Sequence, residues 1–96
     1  MTRVRMTRFL AETYQPRLDS TESSEAIERL RAAAEELTAA GRPVRHVRSI
    51  VVPGYETAFH VFEGLSTEAV EEVGRRAQHE FDRVTEALEP ARDREE

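Results

Sequence analysis

The hydrophobic period of this chain changes in a regular order, and that order constrains the fold more than any other feature. Apolar residues alternate over residues 8–14, recur at helical spacing over 25–40, and alternate again in two runs between 44 and 63. Helical spacing returns after Ser66, and a last β-rich run covers Phe81 to Leu88. The pattern predicts strand, helix, strand, strand, helix, strand.

Both helices are indicated by start and stop signals as well as by apolar stripes. Asp19 with Glu22 three positions later has the form of a helix start, and Gly41 is placed as a C-terminal stop. Ser66 is placed as the N-cap of the second helix. The two stripes expected to face the core are Ile27, Leu30, Ala34 and Leu37, and then Val70, Val73 and Ala77.

The two central runs, Val44–Val52 and Thr57–Glu63, are predicted to form a hairpin around Pro53, Gly54, Tyr55 and Glu56. We expect Val47, Val51, Phe59 and Val61 to face the helices. With a loop of three residues, Arg48 lies opposite His60, and a change of one residue in loop length would move His60 to the other face. The expected open face then carries His46, Arg48, Ile50, Ala58, His60 and Phe62.

Two strand-helix-strand halves in one small chain predict an α+β, ferredoxin-like βαββαβ fold. Its four-stranded antiparallel sheet would have both helices on one face. A chain of 96 residues is expected to form a single domain over residues 1–96. Within it we expect an N-terminal extension at 1–5, the ferredoxin-like core at 6–88, and a charged flexible tail at 89–96.

The second face of this sheet has nothing in the chain to cover it. Leu10, Ile50 and Phe62 are expected there, and each large side chain of this kind gains roughly 1.5 to 3 kcal/mol on burial. We therefore expect a homodimer in which two sheets pack face to face and close an α+β barrel. Such a barrel would enclose the polar groups that project inward.

Composition excludes several classes of function. The chain has no cysteine, so disulfides, thiolate zinc sites and cysteine nucleophiles are excluded. A net charge of -5 argues against nucleic acid as a partner, because phosphate contacts need a basic surface. No apolar run approaches the roughly 20 residues of a membrane span, which predicts no membrane partner and a cytoplasmic protein. All 14 basic residues are arginine, which with the many alanines favours a GC-rich, bacterial genome.

The candidate site is a polar cluster expected on the open sheet face. Histidine exchanges protons near neutral pH, and arginine holds a carboxylate or a developing oxyanion. His60 and Arg48 are therefore the candidate catalytic residues. The candidate ligand-binding residues are Glu12, Tyr14, His46 and Phe62. We expect a small-molecule ligand or substrate and no cofactor.

Two other functions stay open. His46, His60 and Glu12 offer imidazole and carboxylate donors for a divalent transition metal such as nickel, although two histidines without a fixed spacing are a weak metal signal. The chain is also compatible with a non-catalytic dimeric accessory module. In purely structural terms, His60 is a cross-strand partner of Arg48, and His79 is a favourable charge near a helix C-terminus.

The segments RFLAETY and VVPGYETAFHVFEGLSTEAVEEVGRRAQHEFDRVTEAL resemble a family of small ferredoxin-like bacterial proteins of unknown function, often labelled nickel-binding-protein-like. The most specific parts are Phe59–Glu63, Ser66–Val70 and Phe81–Ala87. Metal-binding members look histidine-rich in the first strand and both helices, a pattern that this chain lacks, so no metal site is carried over. The resemblance implies the fold. Dimeric barrels of this kind also resemble cofactor-independent isomerases, cyclases and monooxygenases.

Overall fold

Within residues 6–16 and 20–88, four strands and two α-helices follow one another in the order that the hydrophobic pattern predicts. The computed structural model describes residues 6–16 and 20–88. The elements are β1 (Thr7–Tyr14), α1 (Ser20–Ala39), β2 (Val44–Val52), a 3-10 turn (Pro53–Tyr55), β3 (Thr57–Gly64), α2 (Thr67–Arg76) and β4 (Arg83–Ala87). The predicted N-terminal extension, the charged tail and the start signal at Asp19 lie outside the described residues.

The strands form one antiparallel sheet in the order β2-β3-β1-β4. With one helix between β1 and β2 and the other between β3 and β4, this is the ferredoxin-like βαββαβ fold, as predicted. Strand β4 begins at Arg83, two residues later than expected, because Phe81 packs against the core instead of extending the strand. In the described part of the chain, neither helix is long and apolar enough to cross a membrane.

Local end signals determine where both helices stop and where α2 starts. Ser66 accepts a hydrogen bond from the backbone N–H of Ala69 and so caps α2, as predicted. After α1, Gly41 adopts a φ of 95°, which is the left-handed conformation that favours glycine. After α2, Gln78 takes this conformation, and the N–H of His79 donates to the carbonyl of Gly74. This turn directs the chain after α2 back toward the sheet.

The core lies between the helices and one face of the sheet. Both predicted helix stripes face it, with Ile27 at its margin and the remaining stripe residues buried. Small residues let the layers approach closely: a Cβ on Gly74 would lie 2.9 Å from Phe81 Cε2. The sheet and loop side chains that complete the core are Phe9, Ala11, Val44, Phe62, Phe81 and Val84.

The register of the β2–β3 hairpin differs from the prediction in two ways. Val52 pairs with Thr57, so the loop has four residues and not three. A β-bulge then lies between His46 and Arg48, with Val47 as the extra residue. Because of the bulge, His46 and Arg48 lie on opposite faces of the sheet, although their spacing of two places them on one face in a regular strand.

The longer loop reverses the predicted faces of β3. Arg48 pairs with Val61, whereas His60 pairs with Ser49. The prediction that His60 lies opposite Arg48 on the open face is therefore wrong. Four side chains predicted on the open face instead face the helices: His46, Ala58, His60 and Phe62. Two side chains predicted to face the helices instead lie on the open face: Phe59 and Val61.

This reversal predicts that truncating two phenylalanines of β3 lowers the stability of the protein by unequal amounts. Phe62 has 0% of its surface exposed, so Phe62→Ala should lower the free energy of unfolding by about 3 to 5 kcal/mol. Phe59 is only partly buried within one chain, and Phe59→Ala should cost less than half as much at protein concentrations where the chain is monomeric. Urea denaturation of both variants measures the difference. A larger loss for Phe59→Ala would contradict the register.

Candidate functional site

All three histidines of the chain lie together on the helix side of the sheet. His46 comes from β2, His60 from β3, and His79 from the turn after α2. The ring centroids of His46 and His60 are 6.5 Å apart, and those of His60 and His79 are 5.6 Å apart. The cluster therefore runs from the edge strand, beneath the helices, to the end of α2.

Ser49 joins two of these imidazoles by hydrogen bonds. Its Oγ lies 2.6 Å from His60 Nδ1 and 2.8 Å from His46 Nε2. Ser49 is the cross-strand partner of His60, and the bulge at Val47 places His46 on the same face. The result is a continuous hydrogen-bonded chain, which we call the His46–Ser49–His60 relay.

His60 is the most buried titratable group of the cluster. It is 1% exposed, and its Nε2 is buried without a hydrogen-bond partner among the described residues. Burial, with smaller contributions from His79 and His46, lowers the pKa of His60 to about 3. His60 is therefore neutral throughout the physiological range.

His79 closes the inner end of the cluster. Its ring is perpendicular to that of His60 and also contacts Phe81, at a centroid separation of 6.3 Å. Burial lowers the pKa of His79, the nearby Arg29 adds to this effect, and Asp82 opposes it. The lowered pKa and the ring directed inward by the turn after α2 both disfavour the interpretation of His79 as a positive charge at a helix end. Its Nε2 is also buried without a partner in the described residues.

At the outer end, His46 lines an open cleft between α1 and the start of β2. The cleft has a volume of about 620 Å³, within the range of small-molecule sites. Burial lowers the pKa of His46, with a further contribution from Arg31. Most of the described residues around the cleft are apolar or uncharged: Met6, Ala34, Thr38, Ala39, Pro43, Val44 and His46. Three charged side chains lie at its mouth, those of Arg31, Glu35 and Arg45.

Three of the other candidate residues lie on the open face, apart from the histidines, whereas Phe62 is buried in the core beside His46. Glu12 forms an ion pair with Arg83, with 3.2 Å between Oε2 and Nε. Tyr14 donates a hydrogen bond to Glu56, and that bond, together with the charge of Glu56, raises the pKa of the phenol. Arg48 is exposed beside Val61. These side chains share a face with one another but not with His46 or His60.

The separation also removes the alternative metal site formed by His46, His60 and Glu12. Glu12 lies on the face of the sheet opposite His46 and His60, so these three cannot bind one ion. Across residues 6–16 and 20–88, no group of three histidine, aspartate or glutamate side chains has a geometry that could hold a metal. The partnerless Nε2 atoms of His60 and His79 offer two donors, fewer than the three or four protein ligands of typical sites.

Sequence reasoning placed Arg48, Glu12 and Tyr14 on the correct face but missed Ser49, His79 and Phe81 as neighbours of His60. A serine within a strand carries no sign of its hydrogen-bond partners. His46 and Ser49 are three residues apart, which places them on opposite faces of a regular strand, so their spacing gives no sign of the cluster that the bulge creates.

Comparison with known proteins supports the fold. No protein-family model matches the chain, and no curated protein matches it in sequence. The crystal structure of SCO4226 from Streptomyces coelicolor A3(2) is similar, with a TM-score of 0.73 and 23% sequence identity. The similarity covers 88% of this chain and 99% of that one. At this identity the match extends to the α+β architecture and not to activity.

The neutral histidines predict that stability falls as the pH is lowered. Their pKa values are below the usual value of about 6.5, so below that pH the unfolded chain binds protons that the native chain does not. Their contribution is complete above pH 6.5 and, for His60, is lost progressively toward pH 3. Between pH 7 and pH 5, His60→Leu should reduce the drop in unfolding free energy by about 2 kcal/mol.

Urea denaturation at several pH values measures this slope. Phe59→Leu, on the opposite face of the same strand, is the matched control and should keep the slope of the unmodified protein. An unchanged slope in His60→Leu would mean that His60 titrates normally, contrary to its burial.

Proposed function

We propose that this protein binds a small organic molecule in the cleft between α1 and β2. The observation that carries the proposal is the juxtaposition of an apolar cleft of about 620 Å³ with a half-buried imidazole in its wall. Binding sites commonly combine an apolar lining with a few polar groups that fix orientation. His46 supplies such a group, and because it belongs to a hydrogen-bonded relay, its orientation is fixed before a ligand arrives.

The walls of the cleft are fixed by local interactions. Thr38 accepts a hydrogen bond from the N–H of Val44 and donates one to its carbonyl, which ties β2 to α1 at the base of the cleft. Arg31 forms ion pairs with Glu28 and Glu35 at the mouth. These contacts favour a preformed site that closes around a ligand with little rearrangement.

The open sheet face supports a ligand site less well. Its ionisable groups Glu12 and Glu63 are already paired with arginines, and the histidines needed for proton transfer lie on the other face. Isomerase-like or cyclase-like chemistry on the open face would therefore have no histidine as its general acid or base. Any chemistry in this protein is better supported at His46.

The cleft proposal is tested by nuclear magnetic resonance titration with benzoate, octanoate and indole as probes. At least one probe should produce saturable shifts at Ala39, Val44 and His46. Ala39 is exposed on the cleft wall, so Ala39→Phe should fill the cleft and abolish these shifts. Ala32→Phe, at an exposed position of the same helix outside the cleft lining, is the matched control and should bind like the unmodified protein.

Two results would overturn the ligand proposal. One is the absence of saturable shifts with all three probes, or their confinement to Ile50, Phe59 and Val61 on the open face. The other comes from native mass spectrometry of the protein as purified from its producing cells. Bound nickel or zinc in place of an organic adduct would favour the metal alternative.

We further propose that the open face is covered by a second copy of this chain. Four apolar side chains lie near its middle, and Ile50 is 51% exposed. Arg8 and Arg45 both pair with Glu63 beside this apolar region, which offsets one of their two positive charges before an interface forms. The apolar side chains are Leu10, Ile50, Phe59 and Val61. Burial of this face in a homodimer fits a chain too small for a large core of its own.

Ile50→Glu should convert the dimer to a monomer, because it places an unpaired charge in the apolar part of the interface. Sedimentation equilibrium measures the mass. Leu65→Glu is the control, since Leu65 has a similar exposed fraction, 48%, but lies outside the sheet face. A monomeric unmodified protein, or an unaltered dimer in Ile50→Glu, would contradict this interface.

A further inference from the structure

We propose that Ser49 couples the tautomers of His46 and His60 so that the cleft presents an imidazole N–H, which selects ligands that carry a carbonyl or carboxylate oxygen. The proposal deepens the proposed function, on which its ligand class rests. Its physical basis is the relay itself: two imidazoles and one hydroxyl in a continuous hydrogen-bonded chain.

A single hydroxyl between two neutral imidazoles permits only two proton arrangements that satisfy both hydrogen bonds. The Ser49 O–H donates to one ring, and Ser49 Oγ accepts from the other. In the first arrangement, His46 Nε2 donates to Ser49, which donates to His60 Nδ1, leaving a proton on His60 Nε2. In the second, His60 Nδ1 donates to Ser49, which donates to His46 Nε2, leaving His60 Nε2 bare.

The surroundings of His60 favour the second arrangement. His60 Nε2 is buried with no hydrogen-bond partner among residues 6–16 and 20–88. A buried N–H without an acceptor is rarer in proteins than an acceptor with a free lone pair, so the bare nitrogen is the better occupant of this site. The two nearest rings, those of His79 at 5.6 Å and Phe81 at 5.8 Å, make no hydrogen bond to this nitrogen.

This choice at His60 determines the chemistry at the cleft. With Ser49 donating to Nε2 of His46, a neutral His46 must carry its proton on Nδ1, the ring nitrogen that the relay leaves available. His46, which lines the cleft, then has its free N–H on Nδ1 as a hydrogen-bond donor. A change to the first arrangement would move the Ser49 hydroxyl proton to His46 Nε2 and the His60 Nδ1 proton to Ser49. It would also remove the proton from His46 Nδ1 and place a proton on the buried His60 Nε2. The relay therefore disfavours binding of ligands that would donate a hydrogen bond to His46.

The tautomers are measured directly by long-range 1H–15N correlation on the 15N-labelled, ligand-free protein above pH 7. We expect both His46 and His60 as Nδ1–H tautomers, although free imidazole side chains prefer Nε2–H. Ser49→Ala should return His46 to the Nε2–H form, and Ser49→Thr, which keeps the hydroxyl, should preserve Nδ1–H. Ser24→Ala, at an exposed serine of α1, is the control and should resemble the unmodified protein.

A protonated Nε2 on His60 in the unmodified protein would overturn the proposal and needs no variant to fold. An unchanged His46 tautomer in Ser49→Ala would overturn the coupling. Because no ligand is present, these results are independent of the probe titrations. Failure of the relay is therefore distinguishable from failure of the cleft as a binding site.

Discussion

The pairing of Ser49 with His60 across β2 and β3 determines the rest of this structure. It sets which face of β3 carries His60 and Phe62, and so which side chains meet the helices. The bulge at Val47 then brings His46 to the same side and leaves Arg48 on the other. One hairpin register thus assigns the imidazoles to the covered face and most of the guanidinium and carboxylate groups of the strands to the open face.

The two faces of the sheet consequently have different properties. On the covered face, buried and neutral imidazoles form a relay that ends at a cleft, an arrangement suited to oriented hydrogen bonding with a ligand. On the open face, apolar side chains lie beside ion pairs such as Arg8 with Glu63, an arrangement suited to contact with another protein surface. The proposed ligand site and the proposed interface therefore use largely different residues, with Arg45 at the boundary of both.

Much of the fold follows from local sequence signals. The cap at Ser66, the stop at Gly41 and the helix stripes depend on neighbours in the chain, so they are readable without a structure. The site is not, because it depends on the register between two strands, and a single extra loop residue reverses every side chain of one strand. Both faces of β3 carry large apolar residues, Phe62 on one and Phe59 on the other, so hydrophobicity alone does not decide between them.

The central claim is that His60 lies beneath the helices and not on the open face. The most direct measurement is the nuclear Overhauser spectrum of the His60 ring protons. We expect cross-peaks to the rings of His79 and Phe81, whose centroids lie within 5.8 Å of His60, and none to the methyl groups of Leu10 or Ile50. Cross-peaks to Leu10 and Ile50, without those to Phe81, would contradict the register and with it the relay.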